Sequence, residues 1–175
     1  MRYRRVTPRF AVHTCALLGM LVWFDAAAEI AGLDDPAPQE EIEKLVEDYN
    51  RRLFAEPGQA RLYVKRGNAY FRLREFDKAV EDFDTAIRLD AGLDEAYFGR
   101  GMALGRTGEI DQAIADLGVY IARHPKSSVA YTKRGVRYLW KGDVANAEKD
   151  LTRAVTLDAK NAEAHDDLGV IHAQR

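Results

Sequence analysis

The sequence predicts an all-α fold: a right-handed α-solenoid, in which similar pairs of helices stack one after another. A glycine recurs with a step of 34 residues, at Gly67, Gly101, Gly135 and Gly169. Three more positions keep the same step: Ala79, Ala113 and Ala147; Asp82, Asp116 and Asp150; Phe83, Leu117 and Leu151. A fixed period of this length is typical of stacked supersecondary units that bury their apolar faces against one another.

Each period is predicted to form two helices, A and B, in a helix-turn-helix unit. Repeat 1 covers residues 60–93, repeat 2 residues 94–127 and repeat 3 residues 128–161. We expect helix A over 60–73, 94–107 and 128–141, and helix B over 77–89, 111–123 and 144–157. Gly108 and Gly142 follow two of the A helices, where a left-handed residue favours glycine, and Arg74 takes that place in repeat 1. Asp77 and Asp111 are predicted to cap two of the B helices.

A lone helix is predicted at each end of the stack. Residues 39–55 carry one apolar face, and adding 34 to its positions gives the apolar positions of helix B in repeat 1. This segment therefore predicts an N-terminal capping helix. Residues 162–175 match helix A only, with polar neighbours such as Asp166 and Asp167, and predict a C-terminal capping half-repeat. A solenoid needs such caps because its end repeats would otherwise expose an apolar face.

Residues 1–28 have the parts of an export signal. A basic start, an apolar run of 14 residues from Ala11 to Phe24 and the small residues Ala26-Ala27-Ala28 follow one another. The run is shorter than the ~20 residues of a membrane helix, and the alternative is an uncleaved anchor that would hold the protein at a membrane. Residues 29–38, with Pro36 and Pro38, are expected to be a flexible lead-in. The signal predicts an exported, bacterial periplasmic or secreted protein.

Composition and motifs argue against several classes of function. The formal net charge is −2 and becomes more negative without residues 1–28, which hold four arginines and one aspartate, so no nucleic-acid partner is expected. The sequence has no phosphate loop, nucleophile motif or Cys/His cluster, and its single cysteine is Cys15. His165 and His172 are seven residues apart, unlike a paired metal site on a helix. We therefore expect no enzyme activity, no cofactor and no metal site.

An arginine precedes the recurrent glycine in three repeats, and an aspartate follows it in helix B of the same three. The last half-repeat lacks helix B, and Leu168 replaces the arginine there. This joint absence predicts a structural pair inside each repeat, because a partly buried charge needs a partner. The pairs are Arg66 with Asp82, Arg100 with Asp116, and Arg134 with Asp150. The glycines are expected to permit close approach of helix B, with Ala79, Ala113 or Ala147 as the contact.

The residues at this period resemble the tetratricopeptide repeat over about 60–175. The matching positions are Tyr63, Gly67, Tyr70, Ala79, Phe83 and Ala86; Tyr97, Gly101, Ala113, Leu117 and Pro125; Tyr131, Gly135, Tyr138, Ala147, Leu151 and Ala154; His165 and Gly169. The resemblance implies a non-catalytic scaffold that binds another protein, as a peptide or a helix, in a concave groove lined by the A helices. The same frame implies the groove residues Val64, Lys65, Asn68, Phe71, Arg72, Phe98, Met102, Lys133, Val136 and Trp140.

The predicted groove is apolar with a basic fringe, and Trp140 is its best anchor candidate. Some members of the family clamp a chain-terminal carboxylate, but Val64, Gly99 and Val129 replace three of the residues this requires. The sequence instead favours an apolar helix or extended peptide with an acidic residue near Lys65 or Lys133. Packing of some of these side chains between adjacent A helices is the alternative. A structural subunit that self-associates through its terminal repeats, or a membrane-anchored assembly factor, are the rival functions.

Overall fold

The computed structural model describes residues 38–173, and within that range the chain is entirely helical, with no strand. The helices are α1 Gln39–Ala55, α2 Ala60–Arg72, α3 Phe76–Leu89, α4 Asp94–Thr107, α5 Ile110–Arg123, α6 Ser128–Lys141, α7 Val144–Leu157 and α8 Ala162–Ala173. The predicted export signal and nearly all of the predicted lead-in lie outside the described residues. None of the described helices is long and apolar enough to cross a membrane.

The helices form a solenoid in which each helix packs on the next. Contacts join every consecutive pair from α1 to α8, and the A helices α2, α4, α6 and α8 also touch one another in series. The A helices therefore form the inner layer of the stack, and the B helices form the outer layer. The core runs between the layers, where Phe83, Leu117 and Leu151 of the B helices are fully buried.

Two of the B helices begin one residue earlier than predicted, so the expected N-caps are wrong. Asp77 and Asp111 lie in the first turn of α3 and α5, where a carboxylate favours the positive end of the helix dipole. The capping positions hold Glu75 and Glu109, which make no side-chain cap bond. In repeat 3 the shorter Asp143 does cap α7, because its Oδ1 accepts a hydrogen bond from the Asn146 backbone N–H at 3.1 Å.

The turn between helices A and B has the same geometry in all three repeats. Each turn contains one left-handed residue, with φ of 100° at Gly108, 82° at Gly142 and 62° at Arg74. The two glycines directly follow their helices, whereas Leu73 separates Arg74 from α2. The following N–H donates back to the final turn of helix A, at 2.9 Å in each repeat. Arg74 is the one non-glycine residue with a positive φ among those described.

Replacing Arg74→Gly is expected to stabilise the protein by about 1 kcal/mol. The native backbone already has the left-handed conformation, which disfavours a side chain with a Cβ by about 1–2 kcal/mol, and the greater entropy of unfolded glycine offsets part of this gain. Urea unfolding of the full chain measures the change. Gly142→Ala is the matched control and should destabilise by a similar amount; a stabilising Gly142→Ala would contradict the explanation.

Candidate functional site

Four of the apolar residues predicted to line the groove are buried in the core. Val64, Phe71, Phe98 and Met102 are only 2%, 6%, 2% and 6% exposed, and all four belong to one hydrophobic cluster with helix B residues. The prediction that they face a partner is therefore wrong for these side chains. They pack in the core against helix B residues, with Phe71 against Phe76 and Phe98 against Tyr120.

Other A-helix residues do form a surface on the inner layer. Lys65 and Arg106 are exposed, and the side chain of Trp140 is 50% exposed. We call this exposed or half-buried part of the A helices the inner surface: Lys65, Asn68, Arg72, Arg106, Val129, Val136 and Trp140. It combines basic side chains with two valines and a tryptophan, so an apolar segment with acidic residues complements it.

Lys133 is not free to bind a partner's acid. Its Nζ donates to both carboxylate oxygens of Glu163 on α8, at 2.8 and 2.9 Å, and its side chain is 18% exposed. On the same helix, burial together with the charges of Glu163 and Asp166 raises the pKa of Asp167. The C-terminal end of the inner layer is therefore acidic, in contrast to the predicted basic fringe.

Each of the three arginines forms a bidentate pair with the aspartate sixteen residues later in its own repeat. The two N–H···O distances are 2.8 and 2.6 Å for Arg66–Asp82, 2.6 and 2.8 Å for Arg100–Asp116, and 2.6 and 2.9 Å for Arg134–Asp150. The aspartates are nearly inaccessible, at 4%, 6% and 3% exposed. These hydrogen bonds raise the pKa of all three arginines and connect helix A to helix B.

The arginines of repeats 1 and 2 also reach back to the preceding helix, a contact that the sequence pattern did not predict. Nη1 of Arg66 donates to Asn50 at 2.7 Å, and Nη1 of Arg100 donates to Asp84 at 2.5 Å, each sixteen residues earlier. The corresponding position for Arg134 is Gly118, which has no side chain to accept the bond. Each of the first two arginines therefore holds three helices together, whereas Arg134 holds two.

Gly118→Asp is expected to stabilise the protein by about 1–2 kcal/mol. A Cβ at Gly118 would lie at an ordinary contact distance, 3.6 Å from Nη1 of Arg134. Aspartate would therefore supply the missing acceptor, and any residue with a Cβ removes the helix penalty of glycine, which is about 1 kcal/mol against alanine. Thermal and urea unfolding measure both effects. Gly118→Ala is the control for helix propensity, and an aspartate variant no more stable than it would exclude the added ion pair.

Three of the recurrent glycines contact helix B, where the predicted Ala113 and Ala147 contribute carbonyl oxygens and larger side chains lie as close or closer. A Cβ at Gly67 would lie 3.0 Å from the Phe83 ring, and a Cβ at Gly135 would lie 2.9 Å from Leu151. At Gly101 a Cβ would lie 3.1 Å from both the Ala113 carbonyl oxygen and Leu117. Around Gly169 nothing described lies within 4 Å, because no helix B follows α8 in the described residues. The large B-helix side chains thus require the glycines.

Arg137 is an unusual residue beneath the inner surface. It is 2% exposed, and its guanidinium carbon lies 4.2 Å from the centre of the Trp140 ring. Nη2 donates weakly to Met102 Sδ at 3.9 Å, and Nε has no hydrogen-bond partner. Within residues 38–173 no carboxylate forms an ion pair with it. Burial, with the positive charge of Arg106, lowers the pKa of Arg137 to about 10, so it stays charged at neutral pH.

The 34-residue pattern of the sequence contains a signal for this site. The residues one and two periods before Arg137 are Ala103 and Ala69, both buried. Gly105 stands where repeat 1 has Phe71 and repeat 3 has Leu139. A Cβ at Gly105 would lie only 1.9 Å from Nε of Arg137, so the missing side chain provides the space that the guanidinium occupies.

The fold and the periodic contacts define an α-solenoid built from helix-turn-helix repeats. Family models described as tetratricopeptide repeat match residues 60–92 and 95–127. These two segments are therefore tetratricopeptide repeats. A search of curated proteins found no significant match. Among the described residues no group of three or more His, Cys, Asp or Glu is placed to hold a metal ion.

Solved structures of similar fold include MamA and two peptide complexes. "Crystal structure of MamA" matches with 24% identity and a TM-score of 0.71, over 74% of this chain and 75% of that one. "First TPR of Spaghetti (RPAP3) bound to HSP90 peptide SRMEEVD" matches with 24% identity and a TM-score of 0.64, over 66% and 92%. The second TPR domain of human RPAP3, in complex with HSP70 peptide SGPTIEEVD, matches with 24% identity and a TM-score of 0.60, over 63% and 92%. At these identities the likeness concerns the fold.

Proposed function

We propose that the protein is a non-catalytic scaffold, and that a peptide or helix of a partner protein binds along its inner surface. The observation that carries the proposal is the half-exposed Trp140 among basic and apolar side chains on the A helices. Tryptophan is enriched among residues that dominate binding energy, because a large rigid ring loses little entropy when it is buried. The two RPAP3 domains of similar fold have peptides bound, which supports a partner of the same kind.

The partner's chemistry follows from the surface. Lys65 and Arg106 are exposed cations, whereas Lys133 is already neutralised by Glu163. The acidic residue of the partner is therefore expected near Lys65 or Arg106, and no longer at Lys133. Apolar side chains of the partner would contact Val136 and Trp140.

Affinity capture with matched variants tests this proposal. The full chain, Trp140→Ala and Arg153→Ala would be immobilised and exposed to the exported protein fraction, and captured proteins identified by mass spectrometry. Trp140→Ala should lose the specific partner, with about thirtyfold or greater weakening, because truncating a hot-spot residue costs at least about 2 kcal/mol. Arg153 is exposed on α7 in the outer layer, so Arg153→Ala should retain the partner. Equal capture by all three would reject the inner surface as the binding site.

Self-association through the end helices is the second candidate function. Leu45 on α1 is 43% exposed and Val170 on α8 is 53% exposed, so both terminal helices present apolar side chains. Sedimentation equilibrium of the full chain distinguishes the two functions. A concentration-dependent dimer that Val170→Glu dissociates would support self-association, and a monomer throughout the micromolar range would oppose it.

The proposed setting is outside the cytoplasm. The support is the pattern of residues 1–28 alone, which ends in Ala26-Ala27-Ala28. Mass spectrometry of the protein recovered from its native host should give an N-terminus at Glu29. Recovery of the chain with residues 1–28 intact would contradict cleavage and favour an anchored protein.

A further inference from the structure

We propose that Arg137 is a receptor for one acidic side chain of the partner, inserted between α4 and α6 beside Trp140. The inference rests on the proposed function and names the charged group that the inner surface selects. Its basis is a guanidinium that is 2% exposed, has an unsatisfied Nε, and forms no ion pair with the described residues.

The neighbours of Arg137 place it at the binding surface. Its contacts are Met102 and Gly105 on α4 and Trp140 on α6, all on A helices. Trp140 lies over the guanidinium and is half exposed, so it separates the charge from solvent at the inner surface. Nε lies against Gly105, so a partner carboxylate that displaces the ring edge would reach the Nη end of the guanidinium, one of the two edges on which arginine binds carboxylates with paired hydrogen bonds.

The charges around the site favour an anion from outside the chain. Arg106 adds a second positive charge on α4. Glu163, the acidic group whose charge raises the pKa of Arg137, is held by Lys133 in a salt bridge. On α8, burial and the charges of Glu163 and Asp166 raise the pKa of Asp167, and neither Asp166 nor Asp167 is among the groups that shift the pKa of Arg137. A bare guanidinium inside the protein weakens the fold, and a carboxylate supplied on binding would satisfy it.

A structural role and a receptor role make opposite predictions for stability. If Arg137 only held the fold together, Arg137→Met would lower the melting temperature. Under the proposal Arg137→Met raises it by about 3 °C or more, because methionine fills similar space without a buried unpaired charge. An Arg137→Met variant that melts below the wild type would overturn the proposal.

Selection of displayed peptides tests recognition directly. Random heptapeptides fused through their C-termini, so that only side-chain carboxylates are offered, would be selected on the immobilised full chain and on Arg137→Met. On the wild type, Asp or Glu should be enriched at one position by about tenfold or more. On Arg137→Met that enrichment should disappear while the preference for apolar residues remains. Arg137→Lys should keep only part of it, because lysine lacks the planar fork.

The outcomes separate this inference from the proposed function. If the wild type selects apolar peptides without an enriched acidic position, the receptor role is overturned and the scaffold function stands. The same conclusion follows if Arg137→Met enriches acidic residues as strongly as the wild type does. Failure to select any peptide on the wild type would overturn both.

Discussion

Asp150→Ala is expected to destabilise the protein by about 3 kcal/mol. The side chain of Asp150 is 5% exposed and its two oxygens accept both hydrogen bonds from Arg134, which is 21% exposed. Removing the aspartate leaves the arginine partly buried without a partner, and breaking a buried pair in this way costs about 3–5 kcal/mol. The lower figure applies because solvent reaches the guanidinium. Urea unfolding of the full chain gives the free energy of unfolding.

Asp116→Ala is the matched control and should lose less, about 1–2 kcal/mol. Arg100 would keep the bond from its Nη1 to Asp84, whereas Arg134 faces Gly118 at the equivalent position. In the double mutant Arg134→Ala with Asp150→Ala, the loss should fall short of the sum of the single losses. Additive losses, or equal losses at Asp150 and Asp116, would contradict the arrangement of linked pairs.

Gly99→Ala should destabilise by about 2–3 kcal/mol, although alanine is the better helix former. A Cβ at Gly99 would lie 2.4 Å from Cζ of Phe83. The same ring also packs closely on Gly67, where a Cβ would lie 3.0 Å from it. Phe83 is fully buried between two A helices. Overpacking of this kind costs about 1–3 kcal/mol, more than the ~1 kcal/mol gained in helix propensity.

The interface between repeats 2 and 3 predicts the change that rescues Gly99→Ala. There Leu117 takes the place of Phe83, and Lys133, with its Cβ, takes the place of Gly99. Phe83→Leu should therefore restore most of the loss in the Gly99→Ala background, while on its own it removes buried volume and costs about 1 kcal/mol. Thermal unfolding of the four variants gives the coupling. A double mutant less stable than Gly99→Ala alone would refute the steric explanation.

The repeat architecture could be predicted because it depends on the 34-residue period, which is visible in the sequence. The bounds of α1, α4, α6 and α7 agree with prediction, and the joint absence of arginine and aspartate from the last half-repeat pointed to the pairs inside each repeat. The link from Arg100 back to Asp84 was not foreseen, since it requires the distance between successive B helices.

The binding residues were harder to predict, for a physical reason. The family frame says which face of helix A a residue occupies, but not whether its side chain turns between adjacent helices. Phe98 and Met102 turn inward and are buried, whereas Trp140 on the same layer remains half exposed. The bond from Lys133 to Glu163 depends on where α8 packs. Arg137 was not predicted as a binding residue because the equivalent residues of the other two repeats are core alanines. Arg137 and Gly105, which lie together, both depart from the repeat pattern.

Chemical-shift mapping of the full chain during titration with a selected peptide tests the central claim most directly. If the partner lies along the inner surface, the largest amide and side-chain shifts should occur at Lys65, Asn68, Val136 and Trp140, with the signals of α3, α5 and α7 nearly unchanged. Shifts concentrated on those outer helices, or on the end helices α1 and α8, would contradict it.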